Sequence, residues 1–439
     1  MIKKRILVPF QELVKNDSFS GVLLFIASVV ALIWANSPFG DFYQDLWQYK
    51  VGIKTEDFEL YKPLILWVND GLMAVFFFLI GLEVKREILV GELNTMKKLA
   101  FPLLGALGGV VFPILIFTLL NNNPETSQGW AIPMATDIAF ALAIVKILGN
   151  KVPLSLKVFL TAFAIVDDIA AVAVIAIFYS SSLNWTFLLI ALVLLLLVYY
   201  LTHRGMYNKY FSFLIGIVVW FCFFYGGIHP TLAGVFMAFA IAIRQKSTTD
   251  EFVTTASKIA EELRQMTIIK EPIMTDDQIH TVKKLKRSLA QYQSPLQSLE
   301  HQLHGFVSFF IMPVFALANA GVRFTDGAAL DLRFVMVIAL SLFLGKSIGI
   351  FSFVELAKRV KIVALSQKIN KRHIIGIAFI AGVGFTMSLF IAGLAFITDP
   401  VHLDSAKLGV LVGSVISGAT GYLILKYNRP PGEEELERE

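Results

Sequence analysis

"KVFLTAFAIVDDIAAVAVIAIFY", residues 157–179, decides how this chain is read. After Lys157 come 22 residues whose only charges are Asp167 and Asp168, side by side at the middle. At helical rise the stretch is about 33 Å long, enough to cross the hydrocarbon core of a bilayer. A charge at that depth costs about 2.5 to 3.5 kcal/mol on insertion scales, so two together demand a reason.

The rest of the chain supports a membrane reading. It has 439 residues, 56% hydrophobic and 16% charged, with a mean hydropathy of +0.70. Soluble domains carry about 25% charged residues. The net charge of +5 fits the surplus of Lys and Arg in cytoplasmic loops better than a nucleic-acid partner, because no basic patch is interleaved with aromatics. The single cysteine, Cys222, excludes an intrachain disulfide and a cysteine metal cluster. The basic start "MIKKR" is followed by polar sequence, so the first long apolar run, not a cleaved leader, is expected to direct insertion.

Apolar stretches of spanning or near-spanning length fall at about 20–36, 64–82, 99–120, 129–145, 157–179, 184–201, 209–225, 230–243, 305–321, 334–354, 373–397 and 406–425. Twelve spans are therefore expected in an all-α membrane protein forming one transporter domain over 1–439. Basic residues mark the N-terminal tail (Lys3, Lys4, Arg5) and the second, fourth, sixth, eighth and tenth loops, whereas "NNNPETSQ", "SSSLN" and "GGIH" carry none. That alternation places both termini in the cytoplasm. Residues 244–303 are a hydrophilic cytoplasmic insert in which "ASKIAEELRQM" and "TVKKLKRSLAQYQ" have the spacing of amphipathic helices.

Asp70, Asp137, Asp167, Asp168 and Lys346 all fall within predicted spans. Successive helix positions are about 100° apart, so Asp167 and Asp168 cannot face one partner. One can meet a cation or proton while the other meets Lys346. Adjacent buried carboxylates titrate as a coupled unit. Carboxylate and hydroxyl oxygens, with Thr136 beside Asp137, suit a small hard cation. Pro133 in "AIPMATD" and Gly382 and Gly384 in "GVGFTMSLFIAG" predict two interrupted helices, whose freed ends attract ions.

These residues resemble the NhaA family of sodium/proton antiporters. The likeness rests on "NDGLMAVFFFLIGLEVKRE", "ATDIAFAL", "AIVDDIAAVAVIAIFY", "GIHPTLAG", "PVFALANAGV", "LGKSIGI" and "GVGFTMSLFIAGLAF", in order between about residues 18 and 427. It implies inverted repeats (spans 3–5 and 10–12) with two crossed, discontinuous helices, an architecture of which this family is itself a known example. It implies that Asp168 binds the ion and the proton, that Asp167, its neighbour at a Na+ site, pairs with Lys346, and that Asp137 and Lys346 balance the half-helix ends. It assigns Glu83, Arg86, Glu87, Glu300, His301 and His304 to a pH-sensing cytoplasmic mouth and links His229 to pH response. In place of the family's usual proline, Ser347 follows Lys346.

The function so implied is electrogenic, pH-regulated antiport in a bacterial inner membrane, taking protons inward and expelling Na+, and Li+ too, by alternating access. More protons than sodium ions would move per cycle. A homodimer through the polar loop 37–62, surrounding lipid, no cofactor and no enzymatic activity go with it. A carrier of a small organic anion is the alternative, and would need a larger polar cavity. A cation channel would lack counter-transport, and an intramembrane aspartyl protease would want "GxGD" where this chain has "GVGF".

Overall fold

The computed structural model describes residues 17–54, 59–91, 93–180, 182–243, 247–266, 273–324, 330–360 and 369–428. The basic residues Lys3, Lys4 and Arg5 of the N-terminal tail, and Lys361 and Lys368 of the basic tenth loop, lie outside these.

The chain opens with α1 (Asp17–Ala35) and turns through 112° into the short α2 (Gly40–Gln48). An antiparallel hairpin, β1 (Lys50–Lys54) on β2 (Glu59–Pro63), pairs Val51 with Lys62 and Ile53 with Leu60. The polar loop is thus built from a helix and two strands, so the chain is all-helical except for this ribbon among the described residues. Next come α3 (Leu64–Leu89), α4 (Met96–Leu120), a 3₁₀ segment at Pro124–Met134, α5 (Ile138–Leu148) and α6 (Leu154–Phe178). The helices α7 (Trp185–His203) and α8 (Lys209–Gly226) start at Asn184 and Asn208, whose side chains accept the first free backbone N–H groups.

The helix α9 (Leu232–Ala240) has nine residues, about 13 Å of rise, too short to span alone. It ends where the Lys85 ammonium caps the carbonyls of Phe239 and Ile241. The insert forms α10 (Thr249–Gln265) and α11 (Asp276–Tyr292), each opened by a capping box, at Thr248/Glu251 and Thr275/Gln278. The two helices pack on each other through a Phe252–Tyr292 stack. Residues 295–303, read as the end of the insert, are the first turns of α12 (Pro295–Asn319). The chain closes with α13 (Leu332–Arg359), α14 (Lys371–Ala381), α15 (Phe385–Ala395) and α16 (Pro400–Lys426).

Eight helices are long and apolar enough to cross a membrane, and up to eleven spans result when each bent pair counts as one. The twelfth expected span is the one at 230–243, which yields only α9. Enclosure varies with position. On α7, Leu189, Leu192, Val193 and Leu196 are exposed, as suits a lipid-facing helix. On α13, Val337, Ile338, Leu342, Lys346 and Ile350 are buried.

In hydrocarbon, helices associate by close packing and hydrogen bonding rather than by expelling water, so small residues mark the contacts. Gly345 and Gly349 of α13 lie against Pro113 and Gly108 of α4, so tightly that a side chain at Gly345 would meet the Pro113 backbone. This seam fixes the helix that carries Lys346. π-wound turns occur at Trp67–Leu72, Val307–Ile311 and Ser341–Gly345, and the last ends directly before Lys346. Such turns are frequent at functional sites.

Candidate functional site

Two interrupted segments build the site. In the first, Ala135 and Asp137 are extended between the 3₁₀ turns and α5, with a bend of 44°. In the second, Gly382–Val383–Gly384 separates α14 from α15, with a bend of 41°. The two breaks lie against each other. The Asp137 amide donates to the Val383 carbonyl at 2.7 Å, the Thr136 hydroxyl to Ala381 at 2.8 Å, and the Ser388 hydroxyl to Ile132 at 2.8 Å. From α16, the Ser414 hydroxyl oxygen accepts from the amides of Gly384 and Phe385, each at 3.2 Å. The backbone groups freed by each interruption thus find partners in the other break or in α16, as hydrocarbon surroundings require. Gly384 is glycine for lack of space, because a Cβ there would collide with Ser388 and lie 2.8 Å from the Ala135 carbonyl.

Asp137 is buried and caps two helices at once. Its Oδ1 accepts from the Phe140 amide of α5 at 3.1 Å, while its Oδ2 accepts from the amide of Thr386 in α15 at 3.0 Å and from the Thr386 hydroxyl. One negative charge therefore sits at two positive helix ends. Asp167, one step from the middle of α6, accepts from the Lys346 ammonium with both oxygens, at 2.9 and 2.8 Å. Both residues are buried. The Ser347 hydroxyl donates back to the Phe343 carbonyl at 2.6 Å, an internal bond that a proline could not make.

Asp168 points elsewhere. It lines a cavity of about 130 Å³ together with Glu83, Thr136, Asp137, Lys146, His304 and Thr386. Ser20 of α1 and Ser308 of α12 lie in its walls. The loop charges assign the end of α5 that carries Lys146, in its last turn, to the cytoplasmic side. The space holds several waters or a small hydrated ion. The adjacent aspartates are thus separated into different surroundings by the 100° helical step, one in an ion pair and one in a polar cavity.

At the mouth, Arg86 bridges Glu87 at 2.8 Å and Glu300 at 3.1 Å, tying the end of α3 to the start of α12. Glu83 and His304 reach the cavity, and His301, one turn from His304 on α12, is exposed.

Asp70 and His229 are gathered at the opposite end of α3. Asp70 is 13 residues from Glu83, about 20 Å along the axis, and neither it nor His229 lines the Asp168 cavity. Lys62 from β2 binds Asp70 at 2.9 Å and lies over the Phe224 ring at 3.6 Å. His229 approaches Asp70 at 3.8 Å through Nε2 and Thr231 at 2.7 Å through Nδ1. Burial pushes the His229 imidazole from its ordinary 6.5 down to about 4, against the opposing pull of Asp70. Trp220 donates to the Asp70 carbonyl at 2.9 Å.

Several polar groups were not singled out from the sequence. Lys146 is one, although Ile138, Leu142 and Lys146 recur every fourth residue after Asp137, the spacing of one helix face. Asn69 of α3 and Asn319 of α12 exchange side-chain hydrogen bonds at 3.1 and 2.8 Å. Lys346 is not alone among the lysines in being enclosed. Lys85 and Lys407 are also buried, Lys85 on carbonyls and Lys407 near Asp404 at 3.7 Å. Both sit within a few turns of a helix end, where a long side chain finds polar partners.

The sequence matches the family model described as Na+/H+ antiporter 1 over residues 11–425. It is 41% identical over 421 residues to a "Na(+)/H(+) antiporter NhaA" of Bacteroides thetaiotaomicron, covering 94% of this chain and 95% of that protein. A protein of the same name from Oleidesulfovibrio alaskensis is 42% identical over 427 residues, 96% of this chain and 94% of that one. "Na(+)/H(+) antiporter NhaA 1" of Saccharophagus degradans is 41% identical over 425 residues, 96% and 92% of the two chains.

Proposed function

The chain belongs to the Na+/H+ antiporter 1 family, and from that premise we propose that it exchanges Na+ for H+ at Asp168, as a multi-pass protein of the bacterial inner membrane. The observation that carries the reading is the division of labour between adjacent carboxylates. Asp167 is held by Lys346, while Asp168 lines an internal cavity whose other polar groups are hydroxyls, carboxylates, one lysine and one histidine.

The mechanism follows from competition. A carboxylate holds a proton or a sodium ion, not both, so binding of one releases the other. With the cavity connected to the cytoplasm, sodium displaces the proton from Asp168, and Thr136 offers a hydroxyl oxygen nearby. A rearrangement that opens the site to the other face then lets sodium leave and a proton return. The two breaks, joined by a handful of hydrogen bonds, are the natural place for that movement. Asp137 neutralises the paired helix N-termini, so the pocket does not repel a cation. The cavity's small volume favours a small ion over an organic anion.

Finer properties belong to the same proposal: Li+ is a second substrate, more protons than sodium ions move per cycle, the Glu83–Arg86–Glu87–Glu300–His301–His304 group adjusts activity to pH, and two copies associate through the hairpin, amid membrane lipid. Proteoliposomes test the core of it. An imposed pH gradient should drive Na+ and Li+ uptake, at a rate that changes when a potassium diffusion potential is applied. Uptake without a pH gradient, insensitive to added protonophore, would point to a channel instead.

A further inference from the structure

We propose that the groove between α1, α5 and α16 is a binding site for one anionic phospholipid of the cytoplasmic leaflet, whose acyl chain lies behind the second break. The groove has a volume of about 710 Å³ and shares no lining residue with the Asp168 cavity. Phe25 and Val29 of α1, Ile144 of α5 and Val415 of α16 are among its walls. Phe25 and Val415 are exposed, so in a membrane the groove opens sideways onto hydrocarbon. It runs from Leu408 to Tyr422 on α16, about 21 Å of helical rise, or roughly two-thirds of the hydrocarbon thickness. The lining has no charged side chain. Its two serines are already engaged: the Ser28 hydroxyl donates to the Leu24 carbonyl at 2.7 Å, and the Ser414 hydroxyl oxygen accepts from the Gly384 and Phe385 amides. Away from Tyr422 at its end, a hydrophilic ligand would lose its water partners there without replacement, whereas an acyl chain needs none.

What selects the lipid is the charge at one end. The Lys426 ammonium lies over the Tyr422 ring, 5.5 Å from its centroid, and the Lys151 ammonium donates to the Lys426 carbonyl at 2.7 Å. Both lysines are exposed, and neither is in an ion pair among the described residues. The loop charges put this end at the cytoplasmic surface, among the headgroups of the inner leaflet, where a tyrosine ring also belongs. Two ammonium groups above an apolar groove match a phospholipid of net negative charge rather than a zwitterionic one, each lysine adding about five-fold to binding at such a surface. The floor of the groove gives the lipid a role. Val383, Phe385 and Ser414 line it. The Val383 carbonyl accepts from the Asp137 amide, and Ser414 holds the two amides that follow. An acyl chain packed there supplies the van der Waals contacts that an unfilled cleft forfeits, directly beside the hydrogen bonds that join the two breaks. The binding itself does not depend on the antiport reading.

The test uses the full chain in proteoliposomes containing a trace of phosphatidylglycerol or phosphatidylcholine with a photoactivatable diazirine in the acyl chain. After illumination, adducts are mapped to peptides. Phosphatidylglycerol should label residues 408–422 of α16 and 140–147 of α5 about five-fold or more above the lipid-facing residues 189–196 of α7, whereas phosphatidylcholine should label all three alike. The double variant Lys151→Gln/Lys426→Gln should remove that difference. Ala419→Phe, which fills the groove, should abolish the labelling, and Leu423→Phe, at an exposed position outside the lining, should not. Ending the chain at Asn428 removes Glu433, Glu434, Glu435, Glu437 and Glu439, the rival partners of these lysines, and should leave the preference for phosphatidylglycerol equal or larger. Equal labelling of the groove and α7, no headgroup preference in wild type, or a preference untouched in the double lysine variant overturns the proposal, and each is read without a transport assay. Exchange by wild type should rise with the phosphatidylglycerol fraction while that of the double variant stays flat; a flat response in wild type, with exchange and lipid binding both intact, overturns the coupling to the breaks.

Discussion

Lys346 and Asp167 meet in a buried ion pair with both carboxylate oxygens engaged. Removing one member strands a charge at the cost of about 3 to 5 kcal/mol, whereas removing both strands none. Lys346→Met should therefore lower thermal stability in detergent more than the double variant with Asp167→Asn does, and purely additive losses would argue against a tight pair. A second prediction concerns His229. Its imidazole is held down to about 4 in the folded protein against 6.5 ordinarily, so between those values the unfolded chain binds a proton that the folded one refuses. Folding stability contributed there is complete above pH 6.5 and is lost as pH falls toward 4. His229→Gln should shrink the drop in melting temperature between neutral and acid pH while leaving the alkaline activity profile in place; a shifted activity midpoint would make His229 a sensor after all. At this scale the sequence was informative because a charge in an apolar run declares itself. Lys146 escaped because its charge near a segment end reads first as a topology signal.

The elements that matter most are the ones that stop. Gly384 leaves no room for a Cβ beside Ser388 and the Ala135 carbonyl, while Gly393, two turns later on α15, has its nearest such neighbour at 3.9 Å. Gly384→Ala should reduce exchange by ten-fold or more by forcing the breaks apart, and Gly393→Ala should leave it near wild type; equal effects would remove the special status of the break. Pro133 and the glycine pair made both interruptions visible in advance. The 3₁₀ winding before the first break and the π-wound turn before Lys346 were not legible, since they depend on which neighbours satisfy the backbone rather than on local propensity. The hairpin at 50–63 was also missed, because Lys50, Lys54, Glu59 and Lys62 gave it the composition of a loop.

For the whole molecule, hydropathy located eleven of the twelve expected spans to within a few turns, while the run at 230–243 holds α9, whose nine residues are too short to span alone. The insert contributes a pair of helices on the cytoplasmic side of the proposed topology. Its helices pack on each other, and its two ends are close, with the Leu296 amide on the Ala242 carbonyl at 3.3 Å. Replacing residues 247–293 with a short flexible linker should therefore preserve exchange, as loop closure across so small a gap costs little; abolished exchange in a correctly inserted variant would make the α10–α11 pair part of the mechanism. Asp168 is proposed as the shared seat of proton and sodium. The most direct measurement is sodium-induced collapse of a pH gradient in everted vesicles containing wild type or Asp168→Asn, from neutral to alkaline pH. Wild type should give a sodium-dependent response that is absent in the variant at every pH. Normal exchange by Asp168→Asn would contradict it.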